Sequence, residues 1–156
     1  MSGPTQRNAM DAAREAALQM LYALEQGSQD AAQVQTWFLE AHPMPPRAWA
    51  QATRLVDASV RHRDQIDALI SRHTIGWRLE RISRVERGIL RLATAELLDE
   101  SRPTHGMVVQ GMLRLAKRYS PPEALDFLHA VLDAVARELD ATAARDRGQN
   151  HHLIGG

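Results

Sequence analysis

Nine arginines fall between residues 54 and 91, at Arg54, Arg61, Arg63, Arg72, Arg78, Arg81, Arg84, Arg87 and Arg91, against five acids at Asp57, Asp64, Asp67, Glu80 and Glu86. Arg84, Arg87 and Arg91 recur every three to four residues and so share one face of a helix. Such a face can track phosphates or pair with an acidic protein surface. The plainer alternative is a solvated face laced with ion pairs to neighbouring glutamates, and the spacing leaves both open. The seven histidines raise the question of a metal. His62 and His73 are eleven residues apart and His151 and His152 lie in the expected tail, whereas a ligand set needs several donors converging on one point. His105 and His129 lie in segments that should pack, and each reads as a partly buried histidine with one hydrogen bond. Asp64 and Asp67 read as surface charge rather than an acid-base pair. No phosphate-cradling glycine loop, His-Glu-x-x-His helix, EF-hand loop or nucleophile elbow occurs, so no catalytic residue, metal or cofactor is expected.

The elements that position these residues follow from apolar spacing. A first helix is expected over 9–25, with Ala13, Ala17, Leu18, Leu21, Tyr22 and Leu24 on one face and Gly27 as its C-terminal cap. A second runs from about Asp30 to Ala41 with Val34, Trp37 and Phe38 inward, ended by His42-Pro43-Met44-Pro45-Pro46. From Arg47 to about Ser71 one long helix is expected, with Trp49, Leu55, Val56, Val60, Ile66, Leu69 and Ile70 inward and a solvated polar face. Ser83 and Glu86 form a capping-box pair, so a central helix should start near Arg84, carry Val85, Ile89, Leu92, Ala93 and Leu97, and stop by Ser101. The next spans about Gly106 to Tyr119, weakened by Gly111. Ser120-Pro121-Pro122-Glu123 reads as a second capping box, opening a helix that runs to about Ala141. Residues 1–8 are expected to be a disordered start and 142–156 a flexible tail around one domain over 9–141.

Alanine and leucine dominate while aromatics make up only 4 %, and β-branched runs are missing, so the fold class is all-α. Nineteen basic residues balance nineteen acidic ones, so any hold on nucleic acid must come from uneven placement of charge. With no cysteine there are no disulfides and no thiol chemistry. No leader-type apolar segment and no run near the roughly eighteen apolar residues of a membrane span is visible, which points to the cytoplasm.

Three stretches together are similar to the NusB family of bacterial transcription antitermination factors. "IDALISRHTIGWRLERISRVERGILRLATAELL", Ile66 to Leu98, resembles the family core, whose pattern runs "LERLDRVERAILRLA". "AREAALQMLYALEQ", Ala13 to Gln26, is similar to the family's opening helix, and "LAKRYSPPEALDFLHAVLDAVAREL", Leu115 to Leu139, follows the spacing of its closing segment. The resemblance covers about residues 9–140, in order. It implies two small helical subdomains acting as an adaptor without catalysis. The implied partners are a NusE-type small ribosomal protein, the boxA element of ribosomal RNA leader transcripts, other Nus factors and RNA polymerase. Carried over by position, Tyr22 and Glu86 meet the NusE-type protein, with Arg84, Arg87 and Arg91 as the rim of that surface. Arg7, Arg14, Glu123 and Phe127 fall on the RNA-facing side.

Departures qualify the RNA half. The basic run that usually precedes the family's first helix is here Met10, Asp11 and Ala12. Residues 1–30 carry Arg7 and Arg14 against Asp11, Glu15, Glu25 and Asp30. Each lost phosphate contact lowers affinity, so boxA binding is expected to be weak or to depend on the complex. Gln110-Gly111 and His129-Ala130 replace the family's Asn-Glu and Asn-Gly pairs. The alternative is a protein-protein module on the same fold, a homodimer among the options, that has lost boxA binding.

Overall fold

The computed structural model describes residues 8–27, 29–74, 76 and 82–154, with side chains described through Gln149. Among them are seven helices: α1 Ala9–Gln26, α2 Ala31–Ala41, α3 Pro46–Arg61, α4 Arg63–Arg72, α5 Arg84–Leu98, α6 His105–Tyr119 and α7 Pro122–Ile154. Arg7, Arg78 and Arg81 lie outside the described residues.

Most starts follow from capping chemistry. Asn8 accepts from the Met10 amide at the head of α1, Thr104 from the Met107 amide at the head of α6, and Ser83 from the Glu86 amide at the head of α5. Asp30 and Gln33 close a full reciprocal box on α2, at 2.8 and 3.1 Å. Ser120 differs from expectation: its amide ends α6 by donating to the Ala116 carbonyl, and its buried hydroxyl has no partner among the described residues. The prolines pull Ser120 into extended backbone, φ −125 and ψ 150, and α7 is entered through Pro121, whose carbonyl accepts from Ala124.

The long helix expected from Arg47 to Ser71 is broken at His62, φ −106 and ψ 23. Between Val60 and Ile66 the chain reads Arg61-His62-Arg63-Asp64-Gln65, so the apolar stripe that would press a straight helix onto the core is interrupted for over a turn. After the break, Ile66, Leu69 and Ile70 are buried where α4 packs on α5. Val60, expected inward, is left 50 % exposed, and Trp37 is 57 % exposed beside the buried Val34 and Phe38. Gly76, at φ +85, turns the chain after α4 in the left-handed region that glycine alone enters without strain.

Helices α1, α2 and α3 pack on one another, as do α4, α5, α6 and α7, and α5 touches both groups. One cluster of buried side chains runs through all of this, from Ala13, Ala17 and Met20 of α1 through Leu55 and Val56 to Ile89, Leu92, Met112, Leu128 and Leu132. Helical structure in α7 continues to Ile154, past the expected end near Ala141. From Thr142 to Gln149 nearly every residue is exposed, so this stretch adds nothing to the core.

Candidate functional site

Where α1 passes the His62 break and the start of α5, the surface opens into a groove of about 380 Å³. Its floor is apolar, from Leu18, Leu21, Val85 and Gly88, and its lips carry the exposed Tyr22, Val60 and Tyr119. Gly88 is placed here by close packing: a Cβ on it would stand 3.0 Å from Leu18 Cδ1. Arginines edge the groove in two states. Arg91 is tied down, with Nε and Nη2 forked onto Asp67 at 2.8 and 3.0 Å and Nη1 on Glu25 at 3.2 Å. Burial alone would lower its pKa; the hydrogen bonds and charges of Asp67 and Glu25 outweigh that and hold it above the ordinary arginine value. Arg84 is exposed at the first turn of α5, and Arg63 reaches Asp67 only at 3.9 Å. The groove therefore presents apolar floor, aromatic lips and loosely held positive charge.

The five residues expected on a protein-binding face divide accordingly. Tyr22, Arg84 and Arg91 line the groove. Arg87 sits behind it, donating to Glu25 at 3.1 Å. Glu86 is half-buried at the start of α5, where its carboxylate accepts from the Ser83 hydroxyl. Sequence reasoning missed Val60 and Tyr119 as surface. Val60 stands four residues after Val56 and so looks like core. Tyr119, just before Ser120-Pro121, carried a usable signal: an aromatic in the last turn of a helix about to be stopped has only half a helix to bury it.

Arg14, expected to face RNA, is instead 2 % exposed. Its Nε and Nη2 donate to the two oxygens of Glu96, at 2.9 and 2.7 Å, and Nη1 to Asp11 at 3.1 Å. Burial by itself would lower its pKa, but the Glu96 hydrogen bonds and the two negative charges raise it. The physical reason for its position lies across the helix interface. A Cβ at residue 111 would lie 2.3 Å from Arg14 Nη1, so the guanidinium fills the space that Gly111 leaves empty. Glu123 is exposed in the first turn of α7, and Phe127, one turn on, is half-buried against the core. Arg14 is thus separated in environment from the other two.

Three of the histidines, His73, His105 and His129, sit against carboxylates. His105 donates from Nδ1 to Asp140 at 2.8 Å and accepts at Nε2 from Arg102. His129 is exposed, 3.2 Å from Asp133, contrary to the packed position expected for it. His73 and Arg72 both hold Glu138, fastening the end of α4 to α7. Among the described residues no three such side chains converge as a metal site would require.

A profile of the NusB family matches residues 11–137. The chain belongs to the NusB family. It is 39 % identical over 129 residues to the transcription antitermination protein NusB of Koribacter versatilis, covering 82 % of this chain and 88 % of that one. With the protein of the same name from Sorangium cellulosum it shares 37 % over 134 residues, covering 86 % and 95 %. The fold is similar, at a TM-score of 0.74 and 28 % identity, to a chain in a crystal structure of the antitermination factors NusB and NusE in complex with dsRNA; 85 % of this chain and 99 % of that one are covered. The NusB match ends at residue 137, so the exposed end of α7 lies beyond the family profile.

Proposed function

We propose that this NusB-family chain is a cytoplasmic transcription antitermination adaptor without catalytic activity. It docks a NusE-type small ribosomal protein in the groove between α1 and α5, and touches boxA RNA, weakly or only within that complex, near the start of α7 at Glu123 and Phe127. Through these contacts it joins other Nus factors and RNA polymerase.

The observation that carries the reading is the groove. Exposed tyrosines beside an apolar floor, with arginine at the edge, are the composition of protein interface centres, where a few aromatic and arginine contacts supply most of the binding energy. An apolar side chain of the partner flanked by an acidic one suits the floor and the loosely held Arg63 and Arg84. The NusE-containing relative supports the choice of partner.

One observation favours the narrower alternative of a protein-binding module without RNA. Arg14 is the one basic residue of α1, and it is buried on Glu96 and Asp11. Titrating boxA RNA with the protein, alone and with NusE, at two salt concentrations separates the two. The adaptor gives an RNA shift with NusE present that weakens with salt. A NusE complex that forms yet shifts no RNA selects the protein-only module.

A further inference from the structure

The seam between α1 and α6 is a polar ladder. Asp11 accepts from Arg114 Nε and Nη2 at 3.1 and 3.0 Å. One turn along, Glu15 accepts from Arg118 Nη1, and a turn further Gln19 donates to the Tyr119 hydroxyl at 3.0 Å. The α1 residues recur every four positions and so form one stripe. Both arginine side chains are just over half exposed, each with one edge on a carboxylate and the rest in water. Lys117, between them in sequence, is exposed as well. Directly beyond this end of α6, the chain enters α7 with Glu123 and Phe127.

We propose that Arg114, Lys117 and Arg118 are the residues of α6 that take RNA phosphates, and that Asp11 and Glu15 form an acidic latch over them, so that RNA engages the two arginines by drawing them off α1. The proposal rests on the reading of the chain as an RNA-touching adaptor. Arg114 and Arg118 are spaced by about 6 Å along the helix axis, which suits neighbouring phosphates on an extended strand. The guanidinium fork fits phosphate as well as carboxylate. Ion pairs whose arginine side stands in water are individually weak, so a phosphate competes with them effectively. Asp11 also lies in the first turn of α1, the helix end that most favours an anion, and holds that place itself. Three cations against two acids leave the wild-type face nearly neutral. Removing both acids leaves three positive charges for the strand.

The test is fluorescence anisotropy of labelled boxA RNA with NusE present, over a salt series, for wild type, Asp11→Asn, Glu15→Gln and the double variant, each with and without Arg118→Ala. The latch predicts RNA binding tightened several-fold by each neutralisation and about tenfold by both. The logarithmic salt slope steepens by about 0.7 for each further phosphate neutralised, and Arg118→Ala removes most of the added affinity. Glu15→Gln carries the test if Asp11→Asn, which also loosens a brace on Arg14, lowers stability. RNA binding by wild type that is unchanged in affinity and slope in the neutralised variants overturns the latch and leaves the adaptor reading standing. Absence of RNA binding in wild type and variants alike overturns the RNA half of the adaptor reading and the latch with it.

Discussion

Replacing Glu96 with glutamine should leave the Arg14 guanidinium buried with Asp11 as its remaining counter-charge. Breaking a buried pair from one side costs about 3 kcal/mol or more, so urea unfolding should show a large drop in midpoint. Gly111→Ala should act on the same group from the other side. The new methyl displaces a guanidinium pinned to Glu96, at a cost of about 1–3 kcal/mol. Gly106→Ala, with open space around its Cβ, should instead be neutral or gain up to about 1 kcal/mol. That contrast separates a glycine needed for packing from one that is not. Glu138 supplies a pH test. The Arg72 hydrogen bond, aided by His73 and opposed by burial, lowers its pKa from 4.5 to about 2. A depressed carboxylate pKa gives stability that is fully present above the unfolded value and lost as pH falls through the folded one. The stability gap between wild type and Glu138→Gln should therefore hold above pH 4.5 and close as the pH falls toward 2.

Helix caps behave unequally despite similar sequences. Asp30→Ala removes a formed capping box and should cost about 1 kcal/mol. Ser120→Ala removes a buried hydroxyl that finds no partner among the described residues, and should be neutral or slightly stabilising in the same denaturation series. Both sites show the Ser/Asp-x-x-Glu/Gln pattern, yet consecutive prolines after Ser120 fix the backbone so that the hydroxyl misses its amide. The same limit runs through the other elements. Apolar periodicity places α1, α2, α5 and α6 within a residue or two, because burial on one face is what makes those helices stable. It fails at His62, since a stripe interrupted for a turn reads equally as one helix or two. It fails too at the end of α7, where helical hydrogen bonding outlasts any apolar pattern. Arg14 was unreadable for a different reason: its burial depends on the absence of a side chain at residue 111, nearly a hundred positions away.

On the whole molecule, neutral net charge conceals two differently arranged basic regions. Around the groove, Arg87 and Arg91 are held by Glu25 and Asp67, while Arg84 stands exposed at the edge. On the α1–α6 seam, exposed arginines lean on Asp11 and Glu15. Rim charges chiefly set association rate, so Arg84→Ala should slow NusE association a few-fold and flatten its salt dependence, with little change in dissociation. The arginine cluster was legible in the sequence, but which of its members are occupied depends on acids brought in from α1 and α4. Docking of NusE in the groove between α1 and α5 is tested most directly by calorimetric titration of NusE into wild type and Val60→Arg. Val60 is half exposed, so the substitution fills the groove without emptying the core. The prediction is a wild-type complex weakened at least about tenfold, or about 1.4 kcal/mol, in the variant at unchanged thermal stability. Equal affinity for the two proteins would contradict it.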